Sequence, residues 1–169
     1  MQYPEINHSK QWKYAKPERE RRFLLAEKPD GLELCRYKVI EDQYLENTRL
    51  RLRKTTMQGE IKYKLTKKVP LQTKEHREEW VSTIYLSESE YLGMSQLPGK
   101  SIRKKRFYFS LESGLMLGID EIELKDQIIW IAELEFETAE SMDFQLPFSE
   151  FKEITNEPSF SGKALAQRY

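Results

Sequence analysis

Five segments of the chain carry charges of one sign on alternate residues. The basic ones are Arg49, Arg51 and Arg53, then Lys62, Lys64 and Lys68, then Lys104 and Arg106. The acidic ones are Glu18 and Glu20, which precede Arg22, and Glu133 and Glu135. Arginine forks match phosphate oxygens in pairs, lysine adds a point charge, and carboxylates are preferred ligands of Mg²⁺ and Mn²⁺. These residue types at this spacing indicate a site for a polyphosphate and divalent cations.

Alternation of this kind is typical of β-strands, in which successive side chains point to opposite faces. Runs rich in β-branched and aromatic residues predict eight strands and a short ninth. The predicted strands lie near 17–26, 33–41, 47–55, 60–68, 77–86, 102–110, 115–124 and 127–138, with the short one near 151–156. Turn residues such as Pro98-Gly99 separate them. Strands of this number and length predict an antiparallel barrel or sandwich.

Two short helices are predicted beside the strands. Ser87 stands three residues before Glu90, which is a capping box, and the helix it opens should end before Pro98. A second helix is predicted over 161–167. The fold class is therefore mainly β (α+β), with short peripheral helices. The 169 residues suit a single domain over 1–169.

The charged faces have two explanations that spacing alone leaves open. One is a sandwich whose solvated face alternates with its core. A solvated face usually mixes both signs, however, because like charges on neighbouring positions repel. The other explanation is a shared cavity, in which a polyanion neutralises the basic strands and metal ions neutralise the acidic ones.

The composition excludes several broad classes of protein. Lys+Arg and Asp+Glu each number 28, so the formal net charge is zero, which disfavours a nucleic-acid or membrane-surface binder. Cys35 is the only cysteine, so the chain forms no internal disulfide. No apolar run approaches the length of about 18 residues expected of a membrane span. We expect a cytoplasmic protein, with the choice between monomer and homodimer open.

The motifs resemble those of the CYTH, or triphosphate tunnel metalloenzyme, family. Glu18-Arg19-Glu20-Arg21-Arg22 is similar to the ExExK signature near the N-terminus of that family. Further segments follow in the family's order, at 40–45, 48–53, 64–68, 104–107, 119–122, 132–135 and 153–155. The resemblance spans residues 17–166.

The resemblance implies an eight-stranded antiparallel β-barrel shaped as a tunnel. It also implies a phosphoric anhydride hydrolase that uses Mg²⁺ or Mn²⁺ and acts on a small-molecule triphosphate. Inorganic tripolyphosphate is the favoured substrate, ahead of thiamine, nucleoside or RNA triphosphates.

The resemblance assigns roles to individual residues. The implied metal ligands are Glu18, Glu20, Asp120, Glu133 and Glu135. The implied phosphate-binding residues are Arg49, Arg51, Arg53, Lys64, Lys68, Lys104 and Arg106. The implied catalytic residues are Glu18, Glu20, Arg22 and Glu153.

One position departs from the family pattern, because Arg22 replaces the lysine of ExExK. Arginine keeps the positive charge but cannot act as a compact donor that loses its proton. Two alternatives therefore stand beside the hydrolase. One is an adenylate cyclase of the class IV type, and the other is a non-catalytic module that binds phosphate or nucleotide.

Overall fold

The computed structural model describes residues 13–71, 77–111, 114–136 and 146–169. Within these residues nine strands form one sheet. The strands are β1 Lys16–Leu25, β2 Tyr37–Leu45, β3 Leu50–Met57, β4 Glu60–Leu71, β5 Arg77–Leu86, β6 Gly99–Ser110, β7 Met116–Leu124, β8 Gln127–Phe136 and β9 Phe151–Glu153. The helices are α1 Glu88–Ser95 and α2 Gly162–Arg168, with 3₁₀ turns at Leu32–Leu34 and Pro158–Phe160.

The eight long strands close into an antiparallel barrel. Their order is β5-β4-β3-β2-β6-β7-β8-β1, and β1 also pairs with β5, which joins the two ends of the sheet. One edge of β1 pairs with β5 at residues 16–20 and with β9 at residues 23–25. The other edge of β1 pairs with β8. The predicted barrel is therefore confirmed, and the sandwich alternative is wrong.

The predicted second strand begins too early in the chain. It was expected over 33–41, whereas β2 runs over Tyr37–Leu45. The 3₁₀ turn Leu32–Leu34 follows Gly31, whose φ of 78° is easily adopted only by glycine. Leu32, Glu33 and Leu34 alternate in polarity like a strand, and this caused the error.

The predicted capping box at α1 is confirmed. The Ser87 hydroxyl accepts a hydrogen bond from the Glu90 amide at 3.3 Å, and the Glu90 carboxylate accepts one from the Ser87 amide at 2.7 Å. The helix ends at Ser95, before Pro98, and packs on β3, β4 and β5. Neither α1 nor α2, with eight and seven residues, has the length and apolar character needed to cross a bilayer.

Apolar side chains cover both faces of the barrel around β1, β6, β7 and β8. The outer core joins these strands to the connection between β1 and β2, and contains Phe23, Leu32, Phe107, Ile119, Trp130 and Leu134. The inner core fills one end of the barrel beneath α2, and contains Ile102, Ile122, Ile131, Ile154, Leu165 and Ala166. Because both faces are packed, these four strands hold the remaining inner-facing side chains in defined positions.

The connection between β1 and β2 allows a matched test of the outer core. Leu32 is fully buried and Leu34 is 87% exposed, although both belong to one 3₁₀ turn. Leu32→Ala should lower the free energy of unfolding by about 2–5 kcal/mol, because it removes a packed side chain and leaves a cavity. Leu34→Ala should change it by less than about 0.5 kcal/mol. Urea unfolding of both variants measures the difference, and equal losses would contradict the packing described.

Candidate functional site

A cavity of about 360 Å³ lies inside the barrel, beside the inner core. Eight cationic and five acidic side chains line it, together with residues from the start of α2. Apart from Arg22, which shares β1 with Glu18 and Glu20, the charges are separated by strand. We use the name basic wall for Arg51, Arg53, Lys104 and Arg106 on β3 and β6, and acidic wall for Glu18, Glu20, Glu79, Glu133 and Glu135 on β1, β5 and β8.

Asp42 on β2 is the counter-ion of Arg51 and Arg53, the two residues that β3 contributes to the basic wall. The Arg53 guanidinium donates to both of its oxygens, from Nε at 2.5 Å and from Nη2 at 2.7 Å. Arg51 Nε lies 3.8 Å from Asp42 Oδ1, and this buried atom makes no hydrogen bond with the described residues. Burial raises the pKa of Asp42, but the charges of Arg53 and Arg51 and the bond from Arg53 outweigh burial and lower it to about 2.

Asp120 on β7 is likewise the counter-ion of Lys104 and Arg106 on β6. It is fully buried, accepts hydrogen bonds from Arg106 Nε at 2.6 Å and Nη2 at 2.7 Å, and also accepts one from Lys104 Nζ. In this structure the oxygens of Asp120 bind two cations, so it acts as their counter-ion. The metal role that the resemblance implies for Asp120 stays a prediction.

A glycine on β7 makes room for this arrangement. A Cβ atom at Gly118 would lie 3.2 Å from Cδ of Arg106 and 3.3 Å from its Nε. Past Gly118 on β7, Arg106 Nη2 donates to Glu133 on β8, which links the basic wall to the acidic wall. Burial lowers the pKa of Lys104, Asp120 opposes this, and the Arg106 charge lowers it further, so the net direction is downward.

The acidic wall places carboxylates directly opposite one another. Glu20 faces Glu135 across β1 and β8, and Glu18 faces Glu79 across β1 and β5. Like charges in such positions repel unless a cation lies near them. Lys68 supplies one, since its Nζ contacts Glu18 and lies 3.3 Å from Glu79 Oε2. Burial lowers the pKa of Lys68, but the three nearby glutamates prevail and raise it.

Glu133 differs from the other members of the acidic wall because cations surround it. Burial alone raises the pKa of its carboxyl group, but the charges of Arg106, Lys104 and Arg22 hold the pKa well below its usual range. Arg22 Nε donates to Glu133 Oε1 at 3.1 Å. Glu133 therefore stays ionised and serves as the acceptor between the two walls.

The fit of a divalent cation can be tested on the acidic wall. Among the described residues, no three His, Cys, Asp or Glu side chains are arranged to hold a metal by themselves. Mg²⁺ needs no such group, because it is usually held by one or two carboxylates with phosphate oxygens and water. Glu135 is exposed and forms no ion pair with the described side chains, and Glu20 lies opposite it. The donor set thus suits a cation shared with a phosphate ligand.

Most of the residues predicted for the site line the cavity: Glu18, Glu20, Arg22, Arg49, Arg51, Arg53, Lys68, Lys104, Arg106, Glu133 and Glu135. Lys64 does not. It shares the inner face with Arg53, but its Nζ lies over the Tyr85 ring, 4.9 Å from the centroid. Its proposed contact with phosphate lacks support from this placement.

Glu153 also lies away from the cavity. It accepts a bidentate pair of hydrogen bonds from Arg21, at 2.9 and 2.8 Å, and a third from the Thr155 hydroxyl at 2.7 Å. Arg21 points to the opposite face of β1 from Arg22. In this structure Glu153 forms an ion pair with Arg21 on the outer surface, and the catalytic role that the resemblance implies for it stays a prediction.

Sequence reasoning missed four residues of the site: Asp42, Tyr44, Glu79 and Lys163. Asp42 and Tyr44 share the inward parity of β2, within the segment 40–45 that resembles a family motif, so parity could have identified them. Glu79 is one acid in a mixed strand, and Lys163 reaches the cavity from α2. Neither carries a signal in its spacing.

Comparison with solved structures identifies the fold. The inorganic triphosphatase NE1496 aligns over 88% of this chain and 93% of its own, with 22% identity and a TM-score of 0.56. A second structure of NE1496, described as a hypothetical protein, aligns over 88% and 97%, with 22% identity and a TM-score of 0.58. PH1819 from Pyrococcus horikoshii OT3 aligns over 72% and 80%, with 18% identity and a TM-score of 0.54.

No protein-family model matches the chain, and no curated protein sequence matches it. The relationship therefore rests on structure, where it extends over most of the chain. The expected resemblance is confirmed at the level of the fold, which the chain shares with the inorganic triphosphatase NE1496.

Asp42→Asn tests the counter-ion role by the pH dependence of stability. The variant leaves Arg53 buried without its opposite charge and should lose about 3 kcal/mol of unfolding free energy at neutral pH. Folding lowers the pKa of Asp42 from 3.8 to about 2, so the contribution of its charge is complete above the unfolded pKa and disappears as the pH falls through the folded one.

The difference between wild type and Asp42→Asn should therefore shrink as the pH falls from about 4 to about 2, measured by urea unfolding at each pH. Glu41→Gln is the matched control, because Glu41 forms a partly exposed pair with Lys54 on the other face of β2. It should cost less than about 1 kcal/mol. A deficit for Asp42→Asn that stayed constant over this pH range would contradict the role.

Proposed function

We propose that this chain, which shares its fold with the inorganic triphosphatase NE1496, is a metal-dependent hydrolase of a triphosphate, with inorganic tripolyphosphate as the favoured substrate. The observation that carries the proposal is the separation of charge inside one closed barrel. The basic wall faces the acidic wall across a cavity of about 360 Å³. A linear polyanion that carries divalent cations is complementary to both walls at once.

The basic wall supports binding of the phosphate chain. Arg53 and Arg106 are held rigidly by Asp42 and Asp120, so their remaining donors are already oriented. Arg51 has a buried Nε that makes no hydrogen bond with the described residues. A buried donor without an acceptor is unfavourable, and a phosphate oxygen would supply the acceptor. Arg51 is therefore the residue of this wall that would gain most from substrate.

The acidic wall supports metal binding. Glu20 and Glu135, with Glu18 beside them, would hold Mg²⁺ or Mn²⁺ together with oxygens of the substrate. The metal would neutralise charge on those oxygens, which eases the approach of a nucleophile. Glu133 is committed to Arg22 and Arg106, so it would orient those two cations rather than hold metal by itself.

The chain's own residues would perform hydrolysis mainly by positioning and electrostatics. The oxygen of a water molecule forms a bond to the terminal phosphorus while the bond from that phosphorus to the bridging oxygen breaks. Diphosphate leaves with charge that Lys104 and Arg106 stabilise. The proton of the water passes to a carboxylate of the acidic wall, because an arginine such as Arg22 holds all its protons and cannot accept one.

The reaction itself can be tested with a panel of triphosphates. The purified protein is incubated with Mg²⁺ or Mn²⁺ and with tripolyphosphate, ATP or thiamine triphosphate. Release of phosphate from tripolyphosphate is the expected result. Diphosphate and cyclic AMP from ATP would instead indicate a cyclase, and binding without turnover would indicate a non-catalytic module. Failure of tripolyphosphate with metal to bind or to raise the melting temperature would overturn the proposal altogether.

Arg51→Ala tests the basic wall while leaving the hydrogen-bonded pair of Arg53 and Asp42 in place. Because Arg51 lies 3.8 Å from Asp42 and forms no hydrogen bond with it, its loss should cost less stability than the loss of Arg53. It should raise the KM for tripolyphosphate by about tenfold or more, since a phosphate charge loses a partner in a confined site. Steady-state kinetics and a melting curve measure the two effects.

Lys105→Ala is the matched control for Arg51→Ala. Lys105 is also a cation next to the basic wall in sequence, but it points outward and pairs with Glu121 at 2.9 Å. Its removal should leave KM and kcat unchanged. Equal damage from the two substitutions would mean that the inward-facing cations have no special part in substrate binding.

A further inference from the structure

Arg22 makes two contacts that a lysine could not reproduce together. It is only 4% exposed and lies on the inner face of β1. Its Nε donates to Glu133 Oε1 at 3.1 Å, and its Nη1 donates to the main-chain carbonyl of Phe160 at 2.8 Å. One rigid guanidinium thus joins the acidic wall to the C-terminal segment.

Phe160 directly precedes the residues that close one end of the cavity. Ser161, Gly162 and Lys163 line this end. Gly162 lies against Tyr44 so closely that a Cβ atom there would be 1.8 Å from the tyrosine hydroxyl oxygen. Behind them, Leu165 is buried in the inner core. The position of residues 160–163 therefore decides the shape of the closed end.

The backbone of this segment bonds mostly to itself. The amides of Glu157, Phe160, Ser161 and Leu165 donate to carbonyls three or four residues earlier in the chain. Among the described residues, two side-chain donors link residues 160–163 to the barrel. One is Arg22 at 2.8 Å, and the other is Lys163, whose Nζ lies 3.5 Å from the Thr48 carbonyl. The bond from Arg22 is the shorter and the more buried.

We infer that Arg22 is a positioning residue: it fixes the closed end of the cavity relative to the acidic wall and does not transfer a proton. The inference deepens the proposed function and rests on it for its consequences in catalysis. A planar fork can bond a carboxylate and a carbonyl in fixed directions, whereas an ammonium is a compact point charge on a flexible stem. This explains why arginine stands here in place of the lysine of the motif.

The first test does not depend on the enzymatic activity of the protein. Amide hydrogen exchange is measured on the peptide that contains Leu165, whose amide donates to the Ser161 carbonyl at 2.9 Å. In Arg22→Lys, exchange of this peptide should be about tenfold faster, because residues 160–163 lose the shorter and more buried of their two side-chain bonds to the barrel. Peptides from β7 should exchange at the wild-type rate. Acceleration shared equally by β7, or no acceleration near Leu165, would overturn the inference.

Arg21→Lys is the matched control. It makes the same change at the next residue of β1, where the guanidinium pairs with Glu153 on the outer face. Exchange near Leu165 and the kinetic constants should both remain at their wild-type values. If Arg21→Lys and Arg22→Lys speed exchange near Leu165 equally, the effect does not come from the contact with Phe160, and the inference fails.

The second test is the division of the effect between KM and kcat. A misplaced closed end weakens the binding of substrate and transition state alike, so Arg22→Lys should raise the KM for tripolyphosphate about tenfold and keep kcat within about twofold. A fall in kcat of about a hundredfold at unchanged KM, or a new ionisation in the pH profile of kcat, would instead place residue 22 in the chemical step. Absence of any tripolyphosphate turnover in wild type would defeat the proposed function, while the exchange result would still decide the role of Arg22.

Discussion

Eight strands that close into a barrel bring the inner-facing side chain of every second residue into one confined space, where an uncompensated charge is strongly unfavourable. In this protein the space receives cations from β3 and β6 and carboxylates from β1, β5 and β8. Asp42 and Asp120 resolve the conflict on the basic wall, because each lies directly opposite an arginine on the neighbouring strand and binds it through both carboxylate oxygens. These buried counter-ions allow the cations to remain charged and inward-facing.

The charged side chains of the cavity differ in how completely opposite charges compensate them, and this difference determines which of them can bind a ligand. Arg53 and Arg106 each donate two hydrogen bonds to an aspartate, and Glu133 accepts hydrogen bonds from Arg22 and Arg106. Arg51 and Glu135 are held much more loosely, on opposite walls. A ligand that brings both phosphate oxygens and metal ions can use these two groups without breaking the pairs that hold the barrel together.

Rigidity on one side of the barrel supports the same chemistry. The strands β1, β6, β7 and β8 are packed by the outer core on one face and by the inner core or the charged walls on the other. Donors that are fixed before substrate arrives need little reorganisation, and this is where electrostatic catalysis has most of its effect. The closed end depends more on a few side-chain contacts, such as the bond from Arg22 to Phe160.

The sequence by itself determined which face of each strand is charged, because side-chain direction in a strand depends only on parity. That is why most of the cavity lining could be predicted. The capping box at Ser87 followed from its spacing to Glu90, whereas the strand pattern left barrel and sandwich open and the family resemblance pointed to the barrel. The sequence could not show which charges meet, since pairing depends on the register between strands that are distant in the chain. The roles of Asp120 and Glu153 were implied by the family resemblance, which does not show the partners of either residue.

Only the tertiary structure showed which charges these two acids meet. The register of β7 places Asp120 opposite Arg106 on the inner face, while β9 places Glu153 on the outer face beside Arg21. The contribution of Lys163 was likewise decided by the docking of α2, which no local pattern encodes. Parity is a property of one strand, but a site made of paired charges is a property of strands brought together by barrel closure.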